Sequence, residues 1–384
     1  MKSKYLPPVF LCLLLAMLLL TVFQKQPGVS FYENRQLAAA PVLSMQTLLD
    51  GSAFRGAERY FSDHLALREP LLKLNTGVKL ALKAPVVGDI VISGDTLLPY
   101  HAVQLPTYDH EAMQTELALL ERLNEACAQR GVAFLYVAIP EQSSAFQDRY
   151  PEGLFSSAYR DGAMREDFLR GLQARGVPCL DMTPVLLSDA DAYYPKTDHH
   201  YNLYGAYEAC RQIFLRLQDM GLDARSLPAP EFTPVQTPFL GSRARKLMGL
   251  FSSEDQLYTY TLPAGVPFTR RDNGKEVPAA VFDDSRNNLY GYYMGGDVAE
   301  TQLCTGRPEL PKLLIVGDSF TNALECLLYP AFDEMRSLDF RYYTGCSILE
   351  YLDSFQPDVL LLVRDDLSFI VTAGNGSLGL LEKS

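Results

Sequence analysis

The chain has no tryptophan among its 384 residues, so any aromatic wall around a site must come from its 22 tyrosines and 20 phenylalanines. It has no run of Lys or Arg longer than two, and 46 acidic residues outnumber 34 basic ones, leaving a net charge of −12. That argues against nucleic acid as the main partner, because neutralising phosphates needs a concentrated basic face. Seven cysteines occur without a CxxC or CxxxC pair, which excludes a zinc ribbon or a thioredoxin-type motif. No internal repeat or low-complexity tract is present. What the chain does have is apolar mass. At 48% hydrophobic and 21% charged it can bury a real core, and wholesale disorder is excluded. Its length exceeds one minimal domain, although a single α/β enzyme with an insertion would fill it.

Charge is also missing from Leu6 to Phe23, a Leu-rich run preceded by Lys2 and Lys4. At about 1.5 Å per residue a helix of that length reaches roughly 27 Å, just enough to cross a hydrocarbon core. Pro7 and Pro8 sit in its first turn, where a missing N–H costs least. The positive-inside rule then leaves everything after the run outside the cytoplasm. A signal-anchor is preferred to a cleaved signal peptide, since the small residues Leu37 to Ala40 lie well beyond the apolar stretch. Cys12, inside the run, reads poorly as a lipidation site. The other six cysteines (Cys127, Cys179, Cys210, Cys304, Cys326 and Cys346) have irregular spacings in apolar contexts, and buried free thiols are expected rather than disulfides.

Residues 25–85 read as a membrane-proximal arm, with helical patterns at Met45–Leu49 and from Phe54 to Leu82. Beyond Val86 the alternation resembles a hairpin turning at Gly94-Asp95. Asp109 caps a helix carrying Met113, Leu117, Leu120 and Leu123 on one face, and Gly131 stops it. Val132 to Ile139 is then almost continuously apolar, as in a parallel strand covered on both sides. The alternation repeats: a helix from Ala163 to Arg175, a strand from Val177 to Met182, and a helix from Leu203 to Met220. Residues 222–310 lose helical periodicity and read as an insertion with short strands. Strands follow at Lys312–Gly317, Ser337–Tyr343 and Asp358–Arg364, with a helix from the Asp318-Ser319 turn to about Tyr329. Buried strands alternating with helices predict an α/β fold with a flavodoxin-like, mostly parallel sheet and helices on both faces.

Two stretches carry chemistry. Asp198, His199, His200 and Tyr201 lie between a loop and a helix, and Gly317-Asp318-Ser319 joins a strand to a helix. Active sites of open parallel sheets gather at the carboxyl ends of strands, where Ser319 stands, and its own N–H can support a developing oxyanion. A serine hydroxyl needs a base, and the base needs orientation. In an extended segment residues two apart point the same way, so Asp198 can hold one imidazole nitrogen of His200 and leave the other for Ser319. His199 then projects to the opposite side. The alternative stands open at this point: Asp198 caps the next helix and both imidazoles are surface groups. Metal binding is not expected, since adjacent His side chains diverge and no distant third His is evident, and no cofactor is implied. Asn322, one turn beyond Ser319, is a secondary oxyanion candidate. Arg364, at a strand end, either binds an anionic sugar or pairs with Asp365 or Asp366.

Gly-Asp-Ser after an apolar strand resembles the first block of SGNH hydrolases, and an Asp-x-His pair upstream of the serine gives a permuted order. The chain resembles the DHHW family of bacterial exported proteins and the related AlgJ/AlgX-like polysaccharide O-acetyltransferases. Glu33–Leu37, Tyr60–Arg68, Pro151–Leu154, Thr197–Tyr201 with Gly205-Ala206-Tyr207, and Leu338–Tyr343 agree with that family, so the likeness runs from about 31 to 370. Tyr201 stands where the family name has Trp, keeping an aromatic for packing against a sugar ring.

The resemblance implies Ser319 as nucleophile, His200 as base and Asp198 as its orienter. With the apolar run and its flanking lysines, the expected organisation is cytoplasmic residues 1–4, a transmembrane signal-anchor at 5–24, the arm at 25–85 and a catalytic domain at 86–384. The implied activity is transfer of acetyl to hydroxyls of a cell-surface or secreted polysaccharide. A multi-span membrane acyltransferase would deliver the donor, because acetyl-CoA is cytosolic. The alternatives are a carbohydrate esterase with the same triad, or a non-catalytic envelope scaffold in which the three groups do not converge.

Overall fold

The computed structural model describes residues 6–24, 28–100, 108–154, 158–223, 230–261, 265–366 and 368–369. The chain divides into two compact units, Met1–Ile90 with Ala244–Ser252, and Val91–Arg243 with Ser253–Ser384. The segment expected in the cytoplasm, 1–4, lies outside the described residues.

In the first unit, α1 (Leu6–Phe23) is an 18-residue helix without acidic or basic ends, and most of its side chains face outward. Among the described residues no helix is long and apolar enough to cross a membrane. The single helix expected from Phe54 to Leu82 is instead two, α2 (Ser52–His64) and α3 (Arg68–Ala81), separated by Leu67 in the left-handed region at φ 61°. The reason is Pro70. A continuous helix would need its absent N–H to reach the carbonyl of Ala66, whereas in the first turn of a new helix that donor has no role. The two arm stretches that carry the family likeness pair with each other. Arg68 donates to both oxygens of Glu33 at 2.7 and 3.0 Å, Arg35 grips Asp63 at 2.5 and 2.8 Å, and His64 Nε2 donates to Ala38 O at 2.9 Å. Their role is to hold the arm together.

The second unit begins with the expected hairpin, β1 (Ile90–Ser93) and β2 (Thr96–Pro99). Asp109 caps α4 (His110–Gln129) by accepting from Ala112 N at 2.9 Å, and Met113, Leu117, Leu120 and Leu123 are its buried face. There follow β3 (Ala133–Ile139), α5 (Ala158–Ala174), β4 (Cys179–Asp181) and α6 (Leu203–Asp219). A two-stranded ribbon, β5 (Glu231–Pro234) with β6 (Tyr258–Thr261), precedes β7 (Thr269–Asp272), β8 (Lys275–Val277) and β9 (Glu300–Cys304). The chain then runs β10 (Leu313–Val316), α7 (Thr321–Leu328), β11 (Glu334–Leu338), α8 (Ile348–Phe355) and β12 (Val359–Asp365).

The main sheet has eight strands in the order β8-β7-β9-β11-β10-β12-β3-β4. From β11 to β4 all neighbours are parallel, and β9, β7 and β8 extend it antiparallel. Counted from β10, the parallel strands read 2-1-3-4-5, the flavodoxin-like order in permuted form. Two expectations are corrected here. Residues 269–304 are not set apart from the α/β core but lengthen its sheet, β9 pairing along β11 from Glu300↔Leu338 to Cys304↔Glu334. The strand expected at 337–343 begins earlier and ends at Leu338. Asp339 takes the N–H of Arg341 at 2.9 Å, turning the chain out of the sheet.

Both faces of the sheet are covered. Phe134, Tyr136 and Ala138 of β3 and Leu360 and Leu362 of β12 pack under α4, α5 and α8, while α6 and α7 lie together on the other face. Each such buried Leu or Phe stabilises the fold by about 1.5–3 kcal/mol relative to exposure. All seven cysteines are free. Cys127, Cys210 and Cys326 are buried as expected, but Cys304 is exposed at the end of β9.

Candidate active site

The site forms where β10 and β12 part, the reversal point of the strand order. After Val316 the chain turns sharply through Gly317, whose α-carbon has no room for a side chain: a Cβ would lie 2.2 Å from Thr321 Cγ2 and 3.2 Å from Val363 O. Asp318 shapes the turn, its carboxylate accepting from Phe320 N at 3.0 Å and its carbonyl from Thr321 N at 2.9 Å. Ser319 is thereby presented at the head of α7, its amide N–H without a hydrogen bond among the described residues.

The three groups named from sequence meet there. Ser319 Oγ lies 2.7 Å from His200 Nε2, and His200 Nδ1 lies 2.6 Å from Asp198 Oδ1, which also accepts from His200 N at 3.0 Å. An ionised Asp198 accepts only, so Nδ1 carries the proton and Nε2 offers its lone pair to the serine. Asp198 is 1% exposed. Burial raises its carboxyl, but the charge and hydrogen bond of His200, with His199 behind it, outweigh that and hold it well below the usual carboxylate range. Asp198 does not cap the helix that follows. Asn202 does, accepting from Tyr204 N and Gly205 N at 3.0 Å each.

His199 does not project to the opposite side as expected. The segment bends here, so its ring lies 3.7 Å from that of His200, and its Nδ1 bonds Ser242 Oγ at 2.8 Å. Ligand atoms of Asp198, His199 and His200 lie within 4.8 Å of one another. Both ring nitrogens of His200 and both oxygens of Asp198 already have partners, so an ion here would have to break the relay.

Tyr201 is corrected. It is wholly buried and donates its hydroxyl to Phe320 O, so it props the serine turn from beneath and cannot meet a sugar. Asn322 is buried too, with its amide on Asp297 Oδ1 at 3.4 Å rather than aimed at an oxyanion. Arg364 neither faces the site nor pairs with Asp365 or Asp366. Strand alternation puts it on the face of Leu360 and Leu362, 1% exposed, and its guanidinium nitrogens have no hydrogen-bond partner among the described residues. Asp366 instead takes Arg165 at 3.0 Å and Ser144 Oγ at 2.5 Å. Nearby, Tyr194 is buried, whereas Tyr204 is exposed and packs against Phe232 and Tyr258.

Several working residues left little trace in the sequence. Tyr290 stacks on His200 at 3.8 Å between centroids and 3° between planes, closing one side of the imidazole. Ser242 N donates to Asp198 Oδ2 at 2.6 Å. Arg243, 5% exposed, donates to Asp198 O at 3.2 Å and also binds Glu141 and Gln142 side chains. The Gln142 amide reaches back to Lys196 O at 3.1 Å, and Asp255 takes Lys196 N and Thr197 N at 2.9 and 2.8 Å. The loop bearing His200 is thus tied down at almost every residue. Gly241 was the one available signal. Its Cβ would lie 2.4 Å from Thr197 O, so only glycine lets Ser242 approach Asp198.

Solved structures share this fold. PatB1 of Bacillus cereus, solved with a sulfonyl adduct, superposes with a TM-score of 0.60 at 18% identity, covering 73% of this chain and 95% of that one. A DHHW family protein from Eubacterium siraeum gives 0.58 at 19% identity, covering 78% and 100%. The O-acetyltransferase domain of Pseudomonas putida AlgJ is more distant, at 0.47 and 14%, covering 73% and 92%. A comparison with curated proteins finds no match. The family model of the SGNH hydrolase-like domain of acetyltransferase AlgX matches residues 97–288, half of the sequence. That stretch holds Asp198 and His200 and stops short of Ser319, which the fold returns to them, and the chain belongs to this SGNH hydrolase-like family.

Proposed function

We propose that this protein is an extracytoplasmic, membrane-anchored O-acetyltransferase that moves an acetyl group through Ser319 to hydroxyls of a cell-surface or secreted polysaccharide. The observation that carries the reading is the continuous relay Asp198–His200–Ser319 at 2.6 and 2.7 Å in a buried setting. Its convergence supports catalysis over a non-catalytic scaffold. Ser319 Oγ attacks the donor carbonyl while Nε2 of His200 takes its proton, and the imidazolium is steadied by Asp198. Collapse expels the donor's leaving group, which receives that proton, and leaves acetyl-Ser319. A sugar hydroxyl then gives its proton to His200 as it attacks the acetyl carbonyl, and collapse breaks the ester bond to Ser319, whose Oγ takes that proton back from His200. The unengaged Ser319 N–H supports the oxyanion in both halves.

The apolar, uncharged α1 behind Lys2 and Lys4 supports anchoring with the catalytic unit outside the cytoplasm. An exported transferase has no acetyl-CoA, so its donor comes through a multi-span membrane acyltransferase. The test is incubation with an activated acetyl ester, followed by mass spectrometry of the Ser319 peptide, with Ser319→Ala and His200→Ala as controls. Acetyl on Ser319 that persists until a polysaccharide is added supports transfer. Rapid turnover without acceptor returns the esterase, and no label with no turnover overturns the enzyme.

A further inference from the structure

From the first unit we infer that α3 is an interfacial helix whose apolar stripe rests in an anionic phospholipid surface. Leu71, Leu74, Val78 and Leu82 recur three, four and four residues apart, one face of a helix, and with Leu67 just before it all are 48–76% exposed. The buried side of the helix is a different one, centred on Thr76. A stripe of this kind facing water is costly, and Leu67 is held there by a left-handed backbone that a leucine seldom adopts. In a chain of net charge −12, the segment 68–83 carries exposed Lys73, Lys79 and Lys83, with Glu69 as its one acidic residue. Cations flanking an apolar face suit a headgroup layer of opposite sign.

The position of α3 completes the case, and here the inference rests on the proposed anchoring by α1. The last turn of α1 is bonded to the α2–α3 junction: Ala66 N donates to Thr21 Oγ1 at 3.0 Å, and Gln24 Nε2 to His64 O at 2.7 Å. Leu67 follows at once. Where α1 leaves the bilayer, α3 therefore starts. A second copy or a membrane protein partner is the rival occupant.

The absence of tryptophan makes the test direct. Leu74→Trp, Leu13→Trp and Leu215→Trp each place a single tryptophan in the full chain, on α3, on α1 and on the exposed face of α6. The proteins are reconstituted in phosphatidylcholine vesicles with and without phosphatidylglycerol, and emission is read with lipids brominated near the headgroup or near the chain ends. For Leu74→Trp the expected result is a blue shift and loss of about half its emission to headgroup-proximal bromine, as burial of roughly 5–10 Å requires. The loss should be greater with phosphatidylglycerol, and Leu215→Trp should stay unquenched. Quenching of Leu13→Trp without quenching of Leu74→Trp overturns the inference and leaves the anchor standing. An unquenched Leu13→Trp defeats the anchor itself. A blue shift of Leu74→Trp without quenching means that protein covers α3, and also overturns it.

Discussion

Adding one methyl group at Gly241 should disable the base while leaving the fold. Its Cβ would stand 2.4 Å from Thr197 O, 2.5 Å from Thr197 C and 2.5 Å from Thr197 Oγ1, against an ordinary contact of 3.4 Å or more. The 241–242 backbone must retreat by about 1 Å, and the backbone conformation of residue 241 is one that alanine accepts, so the clash is the whole perturbation. That retreat stretches the 2.6 Å bond from Ser242 N to Asp198 Oδ2 beyond hydrogen-bond reach, along with the 3.0 Å bond from Arg243 N to Thr197 O. A hydrogen bond to a charged group contributes about 1.5–3 kcal/mol, and a 1 Å misplacement near the reacting atoms costs on the order of 10²-fold. Gly241→Ala should therefore lower kcat on p-nitrophenyl acetate by about 10²-fold with KM little changed. Overpacking should destabilise by about 1–3 kcal/mol in a denaturant titration, leaving the protein folded. Wild-type kcat in Gly241→Ala would refute the claim that the Ser242 amide positions Asp198.

Tyr290 presents a ring to His200 while its hydroxyl has no hydrogen-bond partner among the described residues, so Tyr290→Phe should keep activity, whereas Tyr290→Ala should lower kcat and cost about 3–5 kcal/mol in thermal unfolding. Arg243→Met strands the buried Glu141 and should destabilise by about 3–5 kcal/mol; Arg243→Met with Glu141→Leu should recover much of that in the same denaturant assay. Burial pushes the Glu116 carboxyl up to about 7, with Arg364 pulling the other way, so the folded state holds a proton that the unfolded chain releases near 4.5. Its contribution is therefore lost as pH rises through that window, and Glu116→Gln should shrink the fall in stability between pH 5 and 8 by about 2.5 kcal/mol; an unchanged fall would refute it.

Periodic, local features were legible before any coordinates. The Asp109 cap with the apolar face of α4, the buried run of β3 and the helix from Leu203 all lie where residue spacing puts them, because each depends on neighbours within a few residues. The relay was legible as well, since Asp198 and His200 sit two apart and Gly317-Asp318-Ser319 ends an apolar strand. What escaped depends on partners far along the chain. Tyr290 is one tyrosine among 22, and nothing near it announces an imidazole 90 residues earlier. Residues 269–304 have the polar, Gly-rich composition of edge strands, which reads as loop until a partner such as β11 is known. Tyr201 and Arg364 were misplaced because a polar tip suggests solvent, whereas here one finds a buried carbonyl and the other lies in the core.

β12 has a last consequence. It comes after every other strand of the sheet in the chain, yet it lies in the middle, between β10 and β3. Until it is threaded in, the strand leading to the nucleophile and the layers behind the base loop belong to separate halves. A polypeptide emerging amino end first would expose its base long before its serine, and would join them only once residues 359–365 had arrived. The proposed relay would thereby be withheld from any incomplete chain, and ribosomal release short of that strand should yield protein that lacks it.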